Sequence, residues 1–237
     1  MTTADSRIKF IETCTSTNDL AHELPSTESV CAIVAAHQSK GRGRLGRHWV
    51  SEKGQGLYLS WRCTPPIPPA QGGALPLVAA VAIHQLCDEL GIDSTLKWPN
   101  DILVQGKKLA GILCEARIHG EQWHAVIGVG LNLAPPTMGW TQNLNATSIH
   151  EEIGVVVDRI VLASRLIDQL EDVLRRFKVG GMSWLVAQWT LRGPQLGTVF
   201  AHNGKTGSYE GLTEDGAIRL RIDGSISIVT AGDVELV

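Results

Sequence analysis

Seven consecutive residues, Gly41-Arg42-Gly43-Arg44-Leu45-Gly46-Arg47, set three guanidiniums among three glycines. Glycine lets backbone amides come close to an anion, and the guanidinium fork gives a phosphate or carboxylate two charge-assisted hydrogen bonds. The segment reads as a mobile loop that gathers three arginines around such an anion and orders when it arrives. Its glycines also match GxGxxG, so a dinucleotide-binding turn competes. That turn opens a helix and is followed about twenty residues later by an acidic residue. Residues 47–54 carry no helical apolar stripe and residues 62–69 no carboxylate, so the dinucleotide reading fails. An RNA-binding Arg-Gly segment fits less well, because the motif is short and lies between core strands.

Lys97-Trp98-Pro99-Asn100-Asp101 precedes Lys107-Lys108-Leu109-Ala110-Gly111-Ile112-Leu113. Pro99 sets a turn between two strands, which puts Asn100 and Asp101 at strand ends, where ligands commonly bind. Both also read as plain turn residues. Asp101 could hold Mg2+ or a ribose hydroxyl. Lys108 begins an otherwise apolar strand: it is either a surface lysine or a cation aimed at charge developing on an α-phosphate. Gly128-Val129-Gly130-Leu131-Asn132 puts two glycines in a buried strand, a sign of a bulge or of close approach by backbone or ligand. Gly204-Lys205-Thr206 is no phosphate loop, because the required earlier glycine falls on Val199.

The elements that must hold these residues can be read from periodicity. Residues 7–13 alternate as a strand. Ser16-Thr17-Asn18 supplies N-cap candidates for a short helix over 19–24. Residues 30–36 and 56–61 read as strands, the second ending before the proline cluster at 65–69. Helical spacing over 75–90 stops at Gly91. Strands follow at 95–98, 102–105, 109–116 and 123–133, the last two apolar enough for a sheet covered on both faces. A loop over 135–145 leads to helices at 158–177 and 182–191, divided by Gly180-Gly181. Beyond Arg192-Gly193-Pro194, short strands separated by Gly and Asp have the texture of a small β-barrel. The boundary falls near 192–195.

Composition narrows the class. The 237 residues are 43% apolar and 19% charged, as in ordinary soluble globular proteins, and suit one sizeable core with a small appended module. A net charge of -3 argues against a nonspecific nucleic-acid or membrane binder. No apolar run approaches the roughly eighteen residues of a spanning helix, and the first residues lack a secretory pattern. The five cysteines form no CxxC pair, so neither zinc knuckle nor disulfide framework is expected. Cys31, Cys87 and Cys114 read as small buried hydrophobes, and a reducing, cytoplasmic compartment fits.

The order of the motifs is more specific than any one of them. Ser16-Thr17-Asn18, then Gln38 before the arginine loop, Gly-Leu-Tyr-Leu-Ser at 56–60, Lys-Trp-Pro-Asn-Asp at 97–101, Lys-Leu-Ala-Gly-Ile-Leu at 108–113 and Gly-x-Gly-x-Asn at 128–132 resemble the catalytic domain of biotin protein ligases. The stretch after Gly193 resembles that family's SH3-like C-terminal domain, so the resemblance covers essentially the whole chain. It implies an α+β fold: a mixed β-sheet with helices, class II synthetase-like, over residues 1–191, then a small SH3-like β-barrel over 192–237. It implies ATP-dependent formation of biotinyl-5′-AMP and transfer of biotin to a lysine of a biotin carboxyl carrier protein domain. ATP and biotin are the implied substrates, with Mg2+ alongside.

Roles carry over by position. Lys108, Arg44 and Asp101 match catalytic positions. Ser16, Thr17, Asn18, Gln38, Gly41, Arg42, Gly43, Arg44, Lys108, Gly111, Gly128 and Gly130 match the surroundings of biotin. Arg42, Arg44, Arg47, Trp49, Asn100, Lys108 and Asn132 match the ATP and adenylate site, and no residue is assigned as a metal ligand. Many bacterial members begin with a DNA-binding helix-turn-helix domain. Here the first catalytic strand starts near residue 7, so that domain is not expected and repressor activity is not implied. Neither DNA nor membrane is an expected partner, and the chain is expected as a monomer or homodimer. Two alternatives stay open: a lipoate or octanoate ligase or transferase of the same fold, and a biotin-binding regulator without catalysis. Members of the first resemble one another through an Arg-Arg-x-Ser-Gly-Gly-Gly loop or a nucleophilic cysteine, and neither pattern appears here. Lys108 counts against the second.

Overall fold

A computed structural model describes residues 5–25, 29–119, 122–140 and 144–237, so residues 141–143 of the loop read over 135–145 lie outside the described residues. The chain runs β1 (Ile8–Cys14), α1 (Thr17–His22), β2 (Ala32–Gln38), β3 (Gly56–Cys63), α2 (Leu75–Glu89), β4 (Thr95–Lys97), β5 (Asp101–Val104), β6 (Lys107–His119) and β7 (Gln122–Asn132). It continues through α3 (Ile149–Ile153), α4 (Arg159–Thr190), β8 (Val199–His202), β9 (Lys205–Leu212), β10 (Ile218–Ile222), β11 (Ser225–Val229) and β12 (Glu235–Leu236).

Seven strands form one sheet in the order β1-β2-β3-β7-β6-β5-β4. Only β1 and β2 pair parallel; the other pairs are antiparallel, giving the expected mixed sheet. Successive side chains on a strand point to opposite faces, so one residue in two serves each side. Leu57, Leu59, Trp61, Ile127, Val129 and Leu131 share a continuous buried core with α2 and α4. The alternate residues of the same strands bring Tyr58 opposite Gly130, Ser60 opposite Gly128, and Gly111 opposite Gly130. That second face, poor in side-chain bulk, is where the chemistry gathers.

α2 is buried almost all round, from Leu75 to Cys87. Together with the preceding turn, Pro69–Glu89 is long and apolar enough by composition to cross a bilayer, although it holds no uninterrupted apolar run of that length. Two-thirds of its most apolar window (67%) is buried inside the fold, which marks it as a core helix. α4 starts at Asp158, whose carboxylate accepts the amides of Ile160 and Val161. Its stripe of Leu162, Leu166, Leu170, Val173, Leu174 and Phe177 is buried, and each such side chain contributes about 1.5–3 kcal/mol. The helical path breaks at Gly181, whose φ of 63° separates the two helices read from the sequence. α3 was not anticipated, although Ser148 has S-x-x-E spacing to Glu151: its hydroxyl oxygen accepts the Glu151 amide as the N-cap and its O–H donates to the Glu151 carboxylate.

The C-terminal strands make a five-stranded antiparallel sheet in the order β11-β10-β9-β8-β12, consistent with an SH3-like module. Asn203-Gly204 and Asp223-Gly224, all at positive φ, are its two-residue hairpin turns. Phe200, Tyr209, Ile218 and Leu220 join the same core as α2. Trp98 Nε1 donates to Gly216 O at 3.0 Å, tying this sheet to the Lys97–Asp101 turn.

Candidate active site

A cavity of about 400 Å³ opens over the glycine-rich face. Ser16, Thr17, Asn18, Gln38, Arg42, Gly43, Arg44, Arg47, Trp49, Asn100, Asp101, Lys108, Gly111, Gly128, Gly130 and Asn132 all line it. These residues span five sequence motifs, and the sheet register brings them together. Gly41 is the one expected site residue that does not line the cavity. Its carbonyl accepts the Trp49 amide at 2.9 Å, and a Cβ there would collide with the Trp49 carbonyl, so this glycine permits the loop to close on itself.

Glycines of β6 and β7 form the floor. Gly111 and Gly130 face one another across the two strands, and the Trp49 indole lies on both. A Cβ at Gly111 would stand 2.7 Å from the indole. Lys108 Nζ sits 5.4 Å from the centre of that ring, a cation–π distance. The same ammonium is 2.7 Å from Asp101 Oδ1, while Lys97 Nζ is 3.6 Å from Asp101 Oδ2. Lys108 therefore points into the cavity, and the reading as a surface lysine is set aside. Asn100 Nδ2 donates to Ile112 O at 2.9 Å, and Asn132 Nδ2 donates to Lys108 O and Thr147 O at 3.2 and 2.9 Å. These two amides brace the strand ends that carry Asp101 and Lys108.

The far end is a buried polar pocket. Ser16 stands at the N-cap of α1 but makes no side-chain capping bond, leaving its hydroxyl for the cavity. Thr17 donates through N and Oγ1 to Gln38 Oε1, at 2.8 and 3.0 Å, and Gln38 Nε2 donates to Ser51 Oγ at 3.1 Å. Asn18 lies on Gly128, with no room between them for a Cβ. Ser60 Oγ, fully buried, is 2.5 Å from Asn18 Oδ1 and 2.7 Å from Thr17 Oγ1. Asn18 Nδ2 donates to Glu115 Oε2 at 2.7 Å and to Leu113 O at 3.3 Å. Hydroxyls and amides fixed in this way suit a neutral, hydrogen-bonding ring system.

The arginine loop covers the cavity, and its three guanidiniums do not converge as expected. Arg42 turns towards α1, where it grips both oxygens of Asp19 at 2.9 and 2.8 Å and reaches Glu115 at 3.2 Å. That pairing raises the Arg42 guanidinium above its ordinary value and lowers the Asp19 carboxyl. Arg44 Nη1 donates to Asn100 Oδ1 at 3.3 Å and Nη2 to Gly232 O at 3.1 Å. Arg44 and Arg47 both pair with Asp233, on the turn before β12. Burial pulls the Arg44 guanidinium below its usual range, with Asp101 partly opposing the shift. An anion entering here would restore some of the solvation this cation has lost.

Ser60, Glu115 and Asp233 escaped sequence reasoning. Glu115 left a signal, being a carboxylate in register with Gly111 and Leu113 on an apolar strand. Asp233 left none, since only the tertiary fold brings the C-terminal sheet to the loop. No cysteine lines the cavity among the described residues. Burial pushes the Cys63 and Cys87 thiols up to about 12 and Cys114 higher still, so none is poised as a nucleophile.

Known proteins resemble this chain in sequence and fold. The profile of the biotin/lipoate A/B protein ligase family matches residues 8–132, from β1 through β7. The bifunctional ligase/repressor BirA of Bacillus subtilis (strain 168) is 31% identical, over 96% of this chain and 73% of its own. The biotin–[acetyl-CoA-carboxylase] ligase of Paracoccus denitrificans is 32% identical, over 92% of this chain and 96% of its own. The biotin protein ligase from Aquifex aeolicus, in complex with biotin and ATP, superposes with a TM-score of 0.81 at 27% identity, covering 98% of this chain and 99% of that one. The glycine floor, the inward lysine and the arginine loop all fall within residues 8–132, and this chain belongs to the biotin/lipoate A/B protein ligase family.

Proposed function

We propose that this chain activates biotin with ATP as biotinyl-5′-AMP and then transfers the biotin to a lysine of a biotin carboxyl carrier protein domain. The observation that carries the reading is a single cavity with two chemically distinct ends. Ser16, Thr17, Asn18 and Gln38 form a neutral hydrogen-bonding pocket, and Lys108, Arg44 and Arg47 form a cationic mouth. The ureido ring of biotin fits the first and the phosphates of ATP the second. In this reading the biotin carboxylate lies beside the α-phosphate.

In the first half-reaction, a carboxylate oxygen attacks the α-phosphorus and pyrophosphate leaves. Lys108 and Arg44 offset the negative charge that builds on the phosphoryl oxygens. In the second, the carrier lysine amine attacks the acyl carbon and AMP departs with the bonding electrons. The loop over the cavity shields the mixed anhydride from water in between. Among the described residues no group of three or more His, Cys, Asp or Glu could hold a metal ion. Nucleotide-bound Mg2+ asks for only one or two carboxylates besides phosphate and water, and Asp101 at the mouth fits that demand. Bound there, Mg2+ would supply further charge neutralisation at the phosphates.

We read residues 1–191 as the biotin- and ATP-binding catalytic unit and 192–237 as the SH3-like module that closes the mouth through Asp233. The net charge of -3 supports the carrier domain, rather than DNA or a membrane, as the partner. A cytoplasmic monomer or homodimer completes the reading. A lipoate or octanoate enzyme is the second reading the family allows. The absence of any cysteine from the described lining speaks against its thiol-transfer form. Mass spectrometry of a carrier domain incubated with the chain, ATP and either acid decides between them. The expected product is an ATP-dependent biotin adduct on one lysine; a lipoyl or octanoyl adduct without biotin would overturn the proposal.

A further inference from the structure

We propose that Glu115 is a positioning residue that ties the arginine loop to the biotin end of the cavity, so that loop closure and pocket orientation form one unit. The inference rests on the biotin ligase reading for its kinetic part only. Glu115 belongs to β6, opposite Val126, and follows Gly111 and Leu113 on the cavity face. Its Oε2 accepts Asn18 Nδ2 at 2.7 Å, and both of its oxygens stand 3.2 Å from Arg42 Nη2. One carboxylate thus holds a side chain of the pocket wall and a side chain of the covering loop.

The chemistry at this junction admits one polarity. An ionised carboxylate only accepts hydrogen bonds, so it fixes the Asn18 amide with nitrogen towards β6 and oxygen towards Ser60. The Leu113 carbonyl, 3.3 Å from the same nitrogen, enforces the same choice. Arg42 then spans two carboxylates, Asp19 on α1 and Glu115 on β6. If the loop lifts, Glu115 loses its cation and keeps Asn18 and, at 3.9 Å, His22. Asn18 is therefore held most firmly when the loop is down, which is when a bound ligand needs it.

The test compares Glu115→Gln and Glu115→Ala with the parent chain. Glutamine keeps the shape and an acceptor for Asn18 but loses the charge that holds Arg42, whereas alanine loses both. Trypsin cutting within residues 40–53, without substrate, reads the loop. KM for biotin and for ATP read the pocket. Both variants are expected to be cut faster in the loop. The biotin KM should rise about tenfold in the alanine variant and less in the glutamine variant, as expected for loss of a charged hydrogen bond, while the ATP KM changes less than about twofold. Parent-like loop cutting and biotin KM in both variants would overturn the coupling. So would a uniform fall in thermal stability with cutting throughout the chain and all constants shifted together, which marks a packing role. A parent chain that consumes no biotin would defeat the ligase reading alone, and the substrate-free proteolysis would still decide whether Glu115 holds the loop.

Discussion

The Trp49 indole rests directly on Gly130, in a space that any side chain at 130 would fill. Two residues along β7, Gly128 stands in the same relation to Asn18. Gly130→Ala and Gly128→Ala therefore make equally small changes at opposite ends of one cavity. Neither glycine has a positive φ, so alanine fits the strand backbone, and the overpacking costs about 1–3 kcal/mol. Gly130→Ala is expected to raise the KM for ATP with a smaller effect on biotin, and Gly128→Ala to do the reverse. Steady-state kinetics with each substrate varied in turn checks this; identical effects from both variants would refute the division of the cavity.

Lys108 is expected to act on the transition state rather than on binding. Its ammonium lies 2.7 Å from Asp101, which holds the charge at the mouth where the α-phosphate would sit. Lys108→Ala removes that cation and leaves Asp101 facing the phosphates with Lys97, 3.6 Å away, as its remaining ion-pair partner among the described residues. Loss of one such contact typically costs about 10²–10³ in rate. Pyrophosphate release should slow by that factor, with biotin binding by calorimetry close to the parent. A parent-like rate would remove Lys108 from the mechanism.

Acid should loosen the loop through Asp19. Arg42 holds this carboxyl below its ordinary 3.8. A depressed carboxyl contributes stability above its unfolded pKa and loses it as pH falls through the lower folded value. Asp19 is 44% exposed, so the contribution is that of a surface pair, about 0.2–1 kcal/mol. Urea unfolding should show the parent more stable than Asp19→Asn at pH 6, with the difference shrinking as pH falls below 3.8 and through the lower folded value. A difference independent of pH would show that the pair contributes no charge-dependent stability.

Much of this site was legible because the motifs carry local causes. Gly128 and Gly130 interrupt an apolar strand, and such glycines mark close approach; what approaches proved to be Asn18 and Trp49, more than a hundred residues away in one case. The two helices either side of Gly181 and the strands of the main sheet follow from periodicity alone. The fate of the guanidiniums was not legible. Which of Arg42, Arg44 and Arg47 meets an anion depends on Asp19, Glu115 and Asp233, and the last two are brought near only by the sheet register and the C-terminal module. α3 could have been found, since Ser148 and Glu151 have capping-box spacing, but its five residues carry too short an apolar pattern to stand out.

Arg44 separates retention of the adenylate from its formation. Its guanidinium reaches Asn100 on one side and Gly232 and Asp233 on the other, so it straps the loop across the mouth between the main sheet and the C-terminal module. Arg44→Gly cuts the strap and leaves Lys108 and Arg47 in place. The expected result is an enzyme that still consumes ATP and biotin, more slowly because Lys108 then offsets the phosphoryl charge without Arg44, but releases biotinyl-5′-AMP into solution. The free mixed anhydride acylates exposed lysines, so this variant should label bystander proteins that the parent ignores. If Arg44 instead serves mainly to bind the pyrophosphate portion of ATP, adenylate formation collapses and bystanders stay clean. Each enzyme is mixed with ATP, biotin and an unrelated lysine-rich protein, and biotin is then detected on a blot. Bystander labelling no greater than that of the parent would sink the retention role.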